Sequence, residues 1–146
     1  MTFKASGAPM PQVLPFVPAS AAVARHELDQ WLAALDDCDE HCRDECALVM
    51  SELVGNALRH ARPLANGAVE VSWRRTPDGV ELAVSDGGGG GMPHKVDAGL
   101  SDLGGRGLAI VEALAGRWWV ERSGSRTTVH ALLPARRHQP MLTGTC

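Results

Sequence analysis

Glu52, Asn56 and His60 recur every fourth residue, so a helix through them would carry all three on one face. A carboxylate and an amide oxygen one turn apart can hold a water and a hard cation such as Mg²⁺, which takes oxygen ligands. The same stripe would suit a solvated helix face, the usual place for charged residues. A second stretch is Asp86 followed by five consecutive glycines, Gly87 to Gly91. A carboxylate at a strand end can accept a hydrogen bond from an exocyclic amino group. Glycine backbone beside it can lie against a flat ring or a phosphate. A flexible linker is the competing reading, weakened because the run sits between a strand pattern and a helix pattern. The third stretch, Gly104-Gly105-Arg106-Gly107-Leu108, opens a helix pattern, where outward N–H groups favour an anion. An ordinary loop would look the same.

Two other glycine-rich phosphate sites fail on spacing. A P-loop needs G-x-x-x-x-G-K-[ST], and Lys95 lies between His94 and Val96. A dinucleotide fingerprint needs its glycine turn to open a helix directly after a strand, inside a βαβ unit. Here Pro93 and a polar loop intervene.

Cys38, His41, Cys42 and Cys46 offer a rival chemistry, as metal ligands or a redox sensor. C-x₃-C-x₃-C is not a zinc-finger spacing, and one helix does not easily wrap four ligands tetrahedrally around zinc. Cys46 reads as core. Three cysteines at a four-residue spacing look like positions on one helix and not a disulfide framework. Pro9, Pro11, Pro15 and Pro18 interrupt the N-terminus, where no basic region joins an apolar run. A secretory leader is therefore not expected, and the chain reads as cytoplasmic.

Elements to position these groups follow from periodicity. Ser20 can cap a helix to about Leu35, with Ala24, Leu28, Trp31, Leu32 and Leu35 inward. A second helix runs from about His41 to Ala61 and is stopped by Pro63. The period then falls to two: Val69, Val71 and Trp73, a turn at Thr76-Pro77-Asp78-Gly79, then Val80, Leu82 and Val84. Asp86 continues the buried phase of this hairpin. A third helix runs from about Arg106 to Ala115, and a second hairpin pairs Trp118–Glu121 with Thr127–Leu133. Residues 1–19 read as a flexible Pro-rich arm with one short strand near Val13 to Val17, 20–133 as the domain, and 134–146 as a loose tail. The fold class is α/β, a mixed, largely antiparallel sheet with helices on one face.

Composition narrows the functions. The 146 residues are 45% hydrophobic and 21% charged, as in a soluble globular domain. With 14 basic and 17 acidic residues the net charge is −3, which disfavours a chain that lives on nucleic-acid phosphates. No apolar run reaches the ~18–20 residues that span a membrane.

Taken together, the order and wording of the three stretches resemble the N, G1 and G2 boxes of the GHKL (histidine-kinase-like) ATPase superfamily. S-E-L-V-x-N-A-x-x-H-A, then V-S-D-x-G-x-G-x-x-P, then G-R-G-L-x-I-V look most like the anti-sigma-factor serine/threonine kinases. The resemblance spans roughly residues 20–133 and implies a Bergerat-type two-layer sandwich that binds ATP with Mg²⁺. By that resemblance Glu52 would be the general base, Asn56 the Mg²⁺ ligand and Asp86 the partner of the adenine amino group. Gly88 and Gly90 would line the adenine end, and Gly105, Arg106, Gly107 and Leu108 would sit by the phosphates. His60 matches a polar position of the first box, and Thr128 a threonine near the adenine. The continuous glycine run leaves the register of G1 open by one residue. Between Pro93 and Gly104 the lid is short and carries one cation, Lys95.

A histidine kinase would need a helical dimerisation segment with its phospho-accepting histidine, and the gyrase-like and MutL-like ATPases a transducer domain. Neither is expected here, so the phosphoryl acceptor would be another protein. The implied function is an anti-sigma-factor kinase that sequesters a sigma factor and phosphorylates an anti-sigma-factor antagonist. The alternatives are a non-catalytic nucleotide-binding or partner-sequestering module of the same fold, and a cysteine-based sensor on that scaffold. Exposed apolar residues such as Trp118 or Trp119 could support a homodimer.

Overall fold

The computed structural model describes residues 10–89 and 106–135. Strands β1 (Gln12–Pro15), β2 (Ala68–Thr76), β3 (Gly79–Asp86), β4 (Arg117–Ser123) and β5 (Arg126–Leu133) form one sheet in the order β1-β2-β3-β5-β4. Helices α1 (Ala19–Ala33), α2 (Glu40–His60) and α3 (Arg106–Leu114) complete the fold. All pairings among these strands are antiparallel, in line with the largely antiparallel sheet that the two hairpin patterns predict. The reason is local: β2–β3 and β4–β5 are hairpins, and β5, the returning arm of the second, is the strand that joins β3. The sheet also starts before residue 20, because Gln12 to Pro15 pair with Val71 to Ala68.

Strand parity separates the two faces. Val69, Val71, Trp73, Val80, Leu82, Val84, Ala131 and Leu133 are buried with α1 and α2 residues such as Leu28, Leu32, Val49, Met50 and Leu53. Trp31 of α1 meets Trp73 at a 6.5 Å centroid distance. The opposite face is polar and cross-linked. Arg126 pairs with Glu70 at 2.8 Å, Arg74 with Glu81 at 2.9 Å, and His130 lies between Glu81 and Glu121 at 3.0 and 2.7 Å. Trp118 and Trp119, expected to be exposed, are half-buried: Trp118 packs on the core, and Trp119 stacks on His130 with Arg117 over its ring.

Two helix starts differ in kind. Ser20 does not cap α1. Its hydroxyl donates to the Pro15 carbonyl at 2.6 Å and fixes the turn out of β1, while the cap position falls on Pro18 with no side-chain bond. For α2 the cap is Asp39, whose carboxylate accepts from the Cys42 N–H at 2.9 Å. That exchange satisfies one of the orphan donors of the helix's first turn.

Candidate nucleotide-binding site

The C-terminal half of α2 and the end of β3 are stitched together. The chain leaves α2 at Ala61 in extended conformation. Arg62 N–H then donates to the Gly88 carbonyl at 2.9 Å, Gly87 N–H donates to the Arg62 carbonyl at 2.7 Å, and Ala61 bridges Gly89. These bonds fix the helix that bears Glu52, Asn56 and His60 against the strand end that bears Asp86. Gly87 has no room for a side chain here: a Cβ would lie 2.1 Å from the Pro63 carbonyl oxygen. Gly88 turns with φ +90°, and its N–H donates to Asp86 Oδ1 at 2.7 Å. Among the described glycines of the run, Gly87 therefore serves packing and Gly88 the turn beside the carboxylate.

Asp86 is 5% exposed. It continues the inward parity of Val80, Leu82 and Val84, as the alternation predicts. Burial pushes its carboxyl up to about 6, against the opposing pull of the Gly88 N–H. A buried acid with one backbone donor retains acceptor capacity for a further donor, as an exocyclic amino group would be.

On α2, Asn56 presents a second unmet demand. Its Oδ1 is buried and has no hydrogen-bond partner among the described residues. Buried amide oxygens are normally satisfied, so this one fits a group supplied from outside the described residues. A hard oxygen-seeking cation such as Mg²⁺ matches that atom. Glu52, one turn earlier, is half-buried, and His60, one turn later, is exposed.

The remaining candidate residues are distributed unevenly. Arg106 and Gly107 are helical, in the first turn of α3, and Leu108 is buried there at 2% exposure. Gly90 and Gly105 lie outside the described residues, as does the lid with Lys95. Thr128 pairs with Ser85, and the two hydroxyls are 2.7 Å apart. That places Thr128 on the polar face of the sheet, away from Asp86. The residue opposite Asp86 in the ladder is Thr127. Its Oγ1 would lie 3.7 Å from a Cβ on Gly88, so Thr127 shares the Asp86 end. Counting back from Leu133, Ala131 and Val129 with period two reaches Thr127, so the signal was present in the sequence.

The model of the histidine kinase-like ATPase domain matches residues 14–132. The chain belongs to this family. A Mycobacterium tuberculosis structure containing RsbU and RsbW domains shares the fold, with a TM-score of 0.67 at 23% identity over 92% of this chain. This chain spans 35% of that longer one. The Acinetobacter baumannii histidine kinase AdeS is more distant, with a TM-score of 0.48 at 18% identity over 86% of this chain and 68% of its own. No curated protein sequence matches. No described helix is long and apolar enough to cross a membrane.

The cysteines depart from the expected arrangement. Cys38 and Cys42 form a disulfide, and Cys46 is a buried free thiol whose pKa burial raises to about 12. Only Cys42 and Cys46 are helical. Cys38 precedes the cap residue Asp39, and leaving the helix brings its Cα to 5.2 Å from that of Cys42, within disulfide reach.

Proposed function

We propose that the protein is an ATP-dependent serine/threonine protein kinase that acts as an anti-sigma factor, holding a sigma factor and phosphorylating an anti-sigma-factor antagonist. The observation that carries the reading is the orphaned Oδ1 of Asn56, one helical turn from Glu52, on a helix tied to the Asp86 strand end. Family membership supports the ATPase chemistry, and the wording of the three boxes supports this branch of it. Such partners would place the protein in the cytoplasm.

In this reading Asp86 and the Gly88 turn select the adenine, the carboxylate accepting from its amino group, with Thr127 at the same sheet end. Asn56 Oδ1 would hold Mg²⁺, and the bound ion would supply charge neutralisation for the phosphate oxygens. Glu52 accepts the proton of the attacking serine or threonine hydroxyl on a carboxylate oxygen. By the resemblance, Gly105, Arg106 and Gly107 would sit by the phosphates, where the N–H groups that open α3 would favour negative charge. His60, exposed, stands at the outer edge of the same helix face.

The test is transfer of labelled phosphate from ATP to a purified antagonist by the full chain. Transfer establishes the kinase. An antagonist that binds without being phosphorylated establishes the sequestering module instead.

A further inference from the structure

Cys38, Cys42 and Cys46 form a cluster the nucleotide chemistry does not use. All three are buried, at 5%, 2% and 0% exposure, and their sulfurs lie within 4.8 Å of one another. We propose that the reduced trio is a binding site for a soft, monovalent metal ion of the copper(I) class, and that the Cys38–Cys42 disulfide is the oxidised, closed form of that site.

The ligand geometry comes from two kinds of backbone. Cys42 and Cys46 are one turn apart on α2 and share its inward face. Cys38 lies outside the helix and approaches from the preceding loop. That loop is held by Asp39 on the Cys42 N–H and by the Asp37 carboxylate on Arg75 of β2, with Nε to Oδ2 at 3.0 Å. Three sulfurs around one ion at a bond length of about 2.3 Å stand about 4 Å apart, so Cys38 and Cys42 must part when their disulfide is reduced, while Cys46, within 4.8 Å of both, needs a closure below about 1 Å. An all-helical triplet would have to reach past its own backbone; the loop position of Cys38 removes that obstacle.

Coordination number selects the ion. Among the described residues no His, Asp or Glu joins the three sulfurs. His41, the neighbour in sequence, is exposed and turns to Glu45 at 3.1 Å. Zinc and iron–sulfur sites seek four ligands, whereas a soft d¹⁰ monovalent ion is satisfied by thiolates alone in a dry pocket.

Oxidation and binding exclude each other on the same atoms. With a low-molecular-weight disulfide as oxidant, Cys38 and Cys42 together lose two electrons and two protons. One sulfur–sulfur bond forms between them, the bond in the oxidant breaks, and two thiols leave. Cys46 stays a thiol, and two of the three ligands are withdrawn.

The experiment uses the full chain with Cys146→Ser, which removes the cysteine outside the described residues. Reduced anaerobically, it is titrated against copper(I) held by a chromophoric chelator. The proposal expects one copper withdrawn per chain, a sulfur-to-copper charge-transfer band, and a three-sulfur shell by X-ray absorption. Prior oxidation with glutathione disulfide should abolish withdrawal, and reduction should restore it. Cys46→Ala and Cys38→Ser should each lose the three-sulfur shell while far-UV circular dichroism stays native. Should Cys46→Ala fail to fold, Cys38→Ser, on the loop, decides. Failure of the reduced protein to take copper would overturn the site. So would undiminished uptake in both variants, or a preference for zinc(II) with a fourth, non-sulfur ligand.

Discussion

Gly87 sits against Pro63 so closely that a Cβ on it would lie 2.1 Å from the proline's carbonyl oxygen. Pro63 follows the helix with Glu52 and Asn56, and Gly87 follows the strand with Asp86, so this contact sets the distance between the two halves of the site. The paired bonds of Arg62 with Gly87 and Gly88 hold it in place. A glycine is needed there for lack of room and not for an unusual φ, which distinguishes it from Gly88 at +90°.

Gly87→Ala should therefore destabilise the fold by about 1–3 kcal/mol, because the clash is with backbone that cannot swing aside. Gly55→Ala is the control. A Cβ there would meet the end of the Arg59 side chain at 3.2 Å, which can move. Removing a mid-helix glycine should stabilise by about 0.5–1 kcal/mol. Thermal unfolding of both variants beside the unmodified chain checks the opposite signs. Equal, small shifts would show that the Pro63 contact yields easily.

Asp86→Asn should weaken ATP binding by about 1.5–3 kcal/mol, the worth of a hydrogen bond to a charged group. Calorimetry measures it, and unchanged affinity would remove Asp86 from the adenine end. The folded carboxyl titrates near 6 against 3.8 for the free group. Between those values the folded chain keeps a proton that the unfolded chain has released. The stability Asp86 contributes is thus full below the unfolded value and falls as pH rises through the folded one. Denaturant unfolding across that window should slope downward for the unmodified chain and flatten in Asp86→Asn. ATP affinity should move the other way, falling as the pH drops below about 6, because protonation removes the charged acceptor.

Asn56→Ala should abolish the Mg²⁺ dependence of nucleotide binding and leave folding intact. Alanine favours the helix, and the substitution removes a buried oxygen that lacks a partner among the described residues. Equilibrium binding of ATP with and without Mg²⁺, beside a thermal melt, separates the two effects. A variant with normal Mg²⁺ dependence would return Asn56 to an ordinary polar role.

Much of this site could be read from periodicity alone. Helical spacing put Glu52, Asn56 and His60 on one face, and strand alternation placed Asp86 inward with Val80, Leu82 and Val84. Thr128 shows where the resemblance and the pairing part: the resemblance points to it, whereas the register puts Thr127 opposite Asp86. Ser20 and Cys38 depart from the periodic pattern for a related reason. Each is governed by how the chain enters a helix, Ser20 bonding back to Pro15 and Cys38 standing just outside the Asp39 cap. A four-residue spacing states a helix position only if the helix has already begun. The packing of Gly87 on Pro63 joins residues distant in sequence, and no local pattern encodes it.

Glu52→Gln separates enzyme from binding module. The residue is one turn before Asn56 and half-buried, so it faces the reacting end of a nucleotide whose metal Asn56 holds in the proposed reading. Glutamine keeps the shape and the helix preference but cannot take a proton. A general base contributes typically 10²–10⁴-fold to rate and little to ground-state affinity. Phosphorylation of the antagonist should fall by about that factor while ATP binding stays near normal, an effect on kcat and not on affinity. The measurement is labelled phosphate transfer, unmodified chain beside Glu52→Gln, with ATP affinity determined on the same preparations. Equal, robust transfer by both would strip Glu52 of the proton-accepting role. Loss of ATP binding along with transfer would make it a binding residue instead. Absence of transfer from the unmodified chain, with an antagonist shown to bind, would leave sequestration as the activity of this fold.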